Sequence, residues 1–100
     1  MTQANIGTTS ATVDIVSINQ PGRELSQFKA ILLKNSSISS TLSPLSNGAS
    51  NGNLTFTDMD GGGTLSAGDR FKITIVPNTD YELILYFGSD KIVSEIFETL

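Results

Sequence analysis

Hydrophobic and polar residues alternate along several short stretches of this chain. Phe71, Ile73 and Ile75 are separated by polar residues, and Val13 and Ile15 follow the same rule. Because successive side chains of a strand point to opposite faces, this period of two indicates half-buried β-strands. The β-branched and aromatic residues in these stretches favour the same interpretation. The pattern predicts strands over residues 11–18, 53–57, 70–76, 81–87 and 91–97.

Two further segments are less regular. Residues 27–34 fit a strand, but Leu25, Phe28 and Leu32 also fit a helical spacing. We favour a strand because no strong helix-forming stretch flanks the segment. The part of the chain that follows is rich in Ser and contains two Asn-Gly pairs, which are typical of tight turns. We expect at most one short strand there, over residues 37–42.

The links between the last three predicted strands are short. Residues 77–80 read Pro-Asn-Thr-Asp and residues 88–90 read Gly-Ser-Asp, and both compositions are typical of turns. Short links usually join strands that are neighbours in one sheet. We therefore expect the last three strands to form an antiparallel meander.

Several predicted strands carry apolar side chains on both faces. A single sheet would leave one of these faces in water, so a second layer is needed to cover it. The predicted fold is all-β, a two-layer antiparallel β-sandwich of immunoglobulin-like type with six to seven strands. One hundred residues suffice for one such domain, which we place over residues 1–100.

The composition narrows the classes of function. Charged residues make up 16% of the chain, and Ser, Thr, Asn and Gly are abundant, as is typical of extracellular and cell-surface β-domains. The formal net charge of −4 argues against a nucleic-acid partner and against a polybasic membrane contact. The chain contains no His and no Cys, the commonest general base and the best nucleophile, so we do not expect an enzyme.

The segment from Asp58 to Asp69 is the main candidate for binding chemistry. On a twelve-residue calcium loop, Asp58 and Asp69 fall at positions 1 and 12, and Gly63 at position 6 supports the sharp turn. Position 5 is Gly62, which offers no side-chain ligand, so the loop predicts weak Ca²⁺ binding. The candidate ligands are Asp58, Asp60, the backbone carbonyl of Thr64, Ser66 acting through water, and Asp69.

The same segment also fits an ordinary turn between two strands. Asp side chains in such turns accept hydrogen bonds from backbone N–H groups, and glycines take positive φ angles. The flanking segments are predicted strands rather than helices, which favours this second interpretation. The sequence leaves both open.

Four aromatic residues near the end of the chain, Tyr81, Tyr86, Phe87 and Phe97, also have two interpretations. They can form an exposed binding patch, or they can fill the interior of the sandwich. Alternating aromatics on paired strands ordinarily pack in a core, so we expect some of them to be buried.

Residues 56–71, which read Phe-Thr-Asp-Met-Asp-Gly-Gly-Gly-Thr-Leu-Ser-Ala-Gly-Asp-Arg-Phe, and the strand from Tyr81 to Tyr86 resemble the C-terminal part of archaeal type IV pilin-like proteins. The resemblance covers residues 54–97. It implies the outward-facing β-domain of a surface filament subunit, with other pilin subunits or cell-surface molecules as partners and an extracellular location. In that family a hydrophobic N-terminal helix packs in the filament core, and we expect that helix to be missing from this chain. The alternative is a secreted module that binds a carbohydrate or protein and uses the calcium loop.

Overall fold

The computed structural model describes residues 2–17, 23–59 and 61–99. These residues form nine strands and one 3₁₀ turn at Leu25–Gln27. The strands are β1 (Thr2–Ile6), β2 (Ser10–Ile15), β3 (Phe28–Lys34), β4 (Ser37–Leu42), β5 (Ser50–Asn51), β6 (Leu54–Thr57), β7 (Arg70–Thr74), β8 (Asp80–Phe87) and β9 (Asp90–Glu98). The seven predicted strands are all present, and β1 and β5 are additional. β2 ends at Ile15 and β7 at Thr74, earlier than predicted, and residue 18 of the predicted strand 11–18 lies outside the described residues.

The strands form two antiparallel sheets. One has the order β1-β2-β7-β6-β5 and the other the order β4-β3-β8-β9. In an immunoglobulin constant domain the strands A, B, E and D form one sheet and C, F and G the other. Here β1, β2, β7 and β6 occupy the first set of positions, and β3, β8 and β9 the second. The predicted all-β sandwich of immunoglobulin-like type is confirmed.

The segment around residues 27–34, whose spacing fits both a strand and a helix, forms a strand. Only Leu25–Gln27 turns, in a single 3₁₀ turn, and Phe28–Lys34 is extended. Phe28, Ala30 and Leu32 are buried, so the alternation of the strand decides which side chains enter the core.

The predicted meander of the last three strands is wrong at its first link, whereas the last two strands pair as expected. β7 pairs with β2 and β6, whereas β8 pairs with β3 and β9 in the other sheet. The short link 77–80 therefore crosses from one layer to the other. It is fixed by the hydroxyl of Tyr81, which accepts a hydrogen bond from the backbone N–H of Val76 at 3.1 Å, and by Thr99, whose hydroxyl donates to the carbonyl of Val76 at 2.6 Å.

The core lies between the two sheets and is built mainly from alternate residues of β2, β3, β6, β7 and β8. Phe56 and Phe71 are cross-strand neighbours with ring centroids 4.9 Å apart. Tyr81 stacks on Phe97 at 5.3 Å, and both are buried. These two aromatics belong to the core, as expected, whereas Tyr86 and Phe87 are only partly buried. The described residues include no helix with the length and hydrophobicity needed to span a bilayer.

Candidate functional site: the Asp58–Asp69 loop

The acidic segment joins two paired strands. β6 and β7 are antiparallel neighbours in which Thr57 lies opposite Arg70. Asp58 directly follows β6 and Asp69 directly precedes β7, so the strand pairing brings the two aspartates together at the same end of the hairpin. Asp60 lies outside the described residues.

Asp69 organises the loop from the inside. Its side chain is fully buried, at 0% exposure. Oδ1 accepts a hydrogen bond from the backbone N–H of Met59 at 3.1 Å, and Oδ2 accepts one from that of Ser66 at 2.9 Å. One carboxylate therefore holds both sides of the loop.

The side chain of Asp58 holds the tip of the loop. It is 4% exposed, and its Oδ2 accepts a hydrogen bond from the backbone N–H of Gly63 at 2.7 Å. Gly63 has a φ of +77°, a conformation that glycine adopts without the steric cost a Cβ imposes. The other oxygen, Oδ1 of Asp58, is buried and has no hydrogen-bond partner among the described residues.

The two carboxylates affect one another. Burial raises the pKa of Asp69, and the neighbouring charge and side chain of Asp58 raise it further, although the hydrogen bonds from Ser66 and Met59 act in the opposite direction. Two like charges in one buried site favour the protonated form of one of them. The loop therefore contains an electrostatic cost that a bound proton or a cation would relieve.

The loop is packed against the rest of the sandwich. The backbone N–H of Ile15 donates to the carbonyl of Asp69 at 2.8 Å. Thr64 forms a β-bridge with Glu24, and Leu65 is buried in the core at 1% exposure. These contacts make the segment part of the fold and not a free surface loop.

The predicted ligands occupy different environments. Asp58 and Asp69 lie together, Thr64 lies in the bridge to Glu24, and Ser66 contributes its backbone N–H to Asp69. The capping hydrogen bonds that the turn interpretation requires are present. The described part of the chain holds no cluster of three or more His, Cys, Asp or Glu side chains arranged for a metal. Both aspartates are buried, and Oδ1 of Asp58 has no hydrogen-bond partner among the described residues.

One residue that contacts the loop was not predicted from the sequence. The side-chain carbonyl of Asn47 accepts a hydrogen bond from the backbone N–H of Asp58 at 3.1 Å. In the sequence, Asn47 precedes Gly48 and indicates only a tight turn. Its role depends on a contact between distant parts of the chain, which local sequence does not reveal.

No protein-family model, curated protein or solved structure matches this chain. The resemblance to archaeal type IV pilin-like proteins therefore stays a prediction that depends on residues 56–71 and 81–86. The immunoglobulin-like assignment depends on the strand order.

Proposed function

We propose that this chain is the exposed β-domain of a surface filament subunit of the archaeal type IV pilin-like class. Its role is structural and adhesive, exerted by packing and surface contact. The observation that carries the proposal is the segment 56–71, whose motif resembles that family and whose two aspartates accept hydrogen bonds that hold the loop between β6 and β7. Because this motif stabilises the fold, it is consistent with a subunit that presents a stable surface.

The chemistry of the chain supports a role without catalysis. The sequence has no His and no Cys. Three of the four carboxylate oxygens of Asp58 and Asp69 already accept hydrogen bonds from the loop backbone. Carboxylates with this task support the loop conformation instead of approaching a substrate.

Immunogold electron microscopy tests the filament proposal. Antibodies raised against this chain are expected to label extended filaments on intact cells of the source organism, with no label on cells that lack the gene. The full coding sequence is expected to include an apolar segment of about 20 residues, long enough for the filament core. Label restricted to the cell interior, or to dispersed secreted protein, would contradict the proposal.

The second candidate is a secreted ligand-binding module that uses calcium, and the buried Oδ1 of Asp58 favours it. A carboxylate oxygen without a donor beside a second carboxylate is a suitable ligand for Ca²⁺, which prefers oxygen. An open hollow of about 550 Å³ is lined by Asp58, Asn47 and Gly63, although Oδ1 of Asp58 itself is buried.

Calcium titration followed by amide NMR tests this candidate. Ca²⁺ is expected to shift the amides of residues 58–69 in a saturable way at millimolar concentration, the weak end of the range for extracellular modules. The Asp14→Asn variant, which alters a half-buried aspartate paired with Arg70 outside the loop, is the matched control and is expected to respond like the wild-type chain. If these amide chemical shifts do not change up to several millimolar Ca²⁺, the loop acts only as a structural turn. A glycan array with and without calcium then tests for a ligand.

A further inference from the structure

The two outer faces of the sandwich differ in chemistry. On the five-stranded sheet, the side chains that alternate with buried residues on β2, β6 and β7 are polar throughout these strands. Arg70 and Asp14 form an ion pair there at 2.7 Å. Such a face is well solvated and needs no cover. Its central residues are Thr12, Asp14, Thr55, Thr57, Arg70 and Lys72.

The outer face of the four-stranded sheet carries aliphatic side chains instead. Leu33 lies opposite Ile38 on one side and Glu82 on the other, and Glu82 lies opposite Ile96. Ile38 is 67% exposed and Ile96 is 71% exposed. These two residues lie on the outer strands of the sheet, with Leu33 and Glu82 between them. Apolar side chains grouped on one sheet face are typical of an interaction surface. We define the aliphatic patch as Ile31, Leu33, Ile38, Ile84 and Ile96, of which Ile84 is buried and Ile31 and Leu33 are half-buried.

Acidic residues lie at one end of this patch. Asp80 and Glu98 are opposite one another on β8 and β9, and Glu82 follows on the same face as Asp80. These three carboxylates, with Leu33 and Ile96, line one open hollow of about 650 Å³. We call Asp80 and Glu98 the acidic end, whereas Glu82 lies between Leu33 and Ile96, inside the aliphatic patch.

Basic residues lie at the other end. Lys29 and Lys91 both lie opposite Tyr86, one on each side. The Nζ atom of Lys29 is 4.9 Å from the centroid of the Tyr86 ring, a cation–π contact that holds the charge on this face. We call Lys29 and Lys91 the basic end. Lys34 and Asp90, near the two ends, have the opposite strand alternation and point away from this face.

The order of charges along this face indicates which partner is complementary to it. The surface changes from acidic to aliphatic to basic along the strand direction. It is therefore complementary to itself when two copies face one another with each strand of one copy antiparallel to the same strand of the other. The aliphatic patches then cover each other, and each acidic end lies over a basic end. With strands parallel, like charges would meet at both ends.

We propose that the outer face of the β4-β3-β8-β9 sheet binds a second copy of this chain, with the strands of the two copies antiparallel. The inference goes beyond the proposed function, because a self-complementary contact pairs two copies and does not by itself build a filament. Its test uses purified chain, so a failure here is distinct from a failure of the filament proposal, which is read on cells.

Sedimentation equilibrium from micromolar to millimolar concentration measures the association. The wild-type chain is expected to form a dimer, and the double variant Ile38→Ser/Ile96→Ser is expected to weaken the dimer at least about tenfold. The matched control is Ile6→Ser/Val76→Ser, which removes apolar side chains of 48% and 43% exposure elsewhere on the surface and is expected to leave the dissociation constant within about twofold. Circular dichroism verifies that each variant is folded.

Charge reversal tests the orientation without removing apolar surface. Lys29→Glu alone and Glu98→Lys alone are each expected to weaken the dimer, and both changes in one chain are expected to restore it, because the reversed ends again meet opposite charges. A wild-type chain that stays monomeric at millimolar concentration would overturn the proposal. So would equal dissociation constants for the aliphatic and control variants, or single charge reversals without effect.

Discussion

The carboxylate of Asp58 lies beside that of Asp69 inside the β6–β7 hairpin, and its Oδ1 atom is buried without a hydrogen-bond partner among the described residues. Both aspartates are needed to satisfy backbone N–H groups, so neither can leave without exposing an unpaired donor. The arrangement therefore combines a structural gain with an electrostatic cost. A proton, a cation or an amide in place of one carboxylate would relieve that cost.

Asp58→Asn is expected to stabilise the chain in calcium-free buffer at neutral pH. The amide oxygen still accepts the hydrogen bond from Gly63, and the amide nitrogen can donate toward Asp69 from the position of the unpartnered oxygen. One like charge is removed, so the free energy of unfolding should rise by about 1 kcal/mol. Urea denaturation with a chelator present measures the change.

The same variant separates the two roles of the loop. If Ca²⁺ binds through Oδ1, Asp58→Asn loses any stabilisation by millimolar Ca²⁺, whereas Asp14→Asn keeps it. Asp14 is a suitable control because its ion pair with Arg70 is exposed and is expected to change stability by about 1 kcal/mol or less. Destabilisation of Asp58→Asn at neutral pH would show that the like-charge cost is too small to matter.

The pH dependence of stability should carry a signature of this pair. The pKa of folded Asp69 is raised above its ordinary value of 3.8, so folding favours its protonated form. The contribution of Asp69 is therefore fully present below about pH 3.8 and is lost as the pH rises through the raised pKa. Asp58→Asn removes the neighbouring charge and should lower that pKa.

Comparison of the two chains isolates this contribution from the other carboxylates. The stability advantage of Asp58→Asn over wild type is expected to be small at low pH and to grow toward neutral pH. Denaturant midpoints between pH 3 and pH 7, in calcium-free buffer, measure it. An advantage that does not change with pH would mean that Asp69 titrates independently of Asp58.

Gly62→Asp is expected to strengthen calcium binding. Position 5 of the loop has no side-chain ligand in this chain, and the affinity of such loops rises with the number of charged ligands. An added carboxylate should lower the dissociation constant by about tenfold, equivalent to about 1.4 kcal/mol. Calorimetric titration measures the change, and Gly62→Ala controls for the altered backbone freedom. Equal affinities for the two variants would place the cation away from position 5.

The strands with regular alternation were predictable because their buried face was visible in the sequence. β7 and β8 have long runs in which every second residue is apolar, and both form where expected. β1 was missed because it is an edge strand with most of its residues exposed, so it has no apolar alternation. β5 is only two residues long, too short to carry any period.

The position of the candidate site was predictable from the sequence, but the role of its residues was not. The spacing of Asp58 and Asp69 marked the loop, but the sequence could not distinguish ligands from backbone caps, because an Asp side chain serves both roles. Which oxygen remains unpartnered depends on the path of the loop. The contribution of Asn47 depends on a contact between separate parts of the chain.

The link between β7 and β8 gave the wrong topology because its composition fits both a hairpin and a crossing between sheets. Its path is instead determined by long-range contacts that the local sequence does not show. The backbone N–H of Thr79 donates to the hydroxyl of Thr99 at 3.0 Å, and Val76 donates to Tyr81. The second contact is similar to the tyrosine corner of immunoglobulin-like domains, in which a Tyr near the start of strand F binds the backbone upstream.

Tyr81→Phe tests the importance of this contact for the crossing. The ring stays buried against Phe97, so the substitution removes the hydroxyl and leaves the backbone N–H of Val76 without its acceptor. The free energy of unfolding should fall by about 1 to 2 kcal/mol, with an unchanged dependence on urea. Tyr86→Phe, which removes a hydroxyl from the partly buried outer-face tyrosine, is the matched control and should change stability by less than about 0.5 kcal/mol. Equal losses in the two variants would mean that the Tyr81 hydroxyl has no special part in joining the layers.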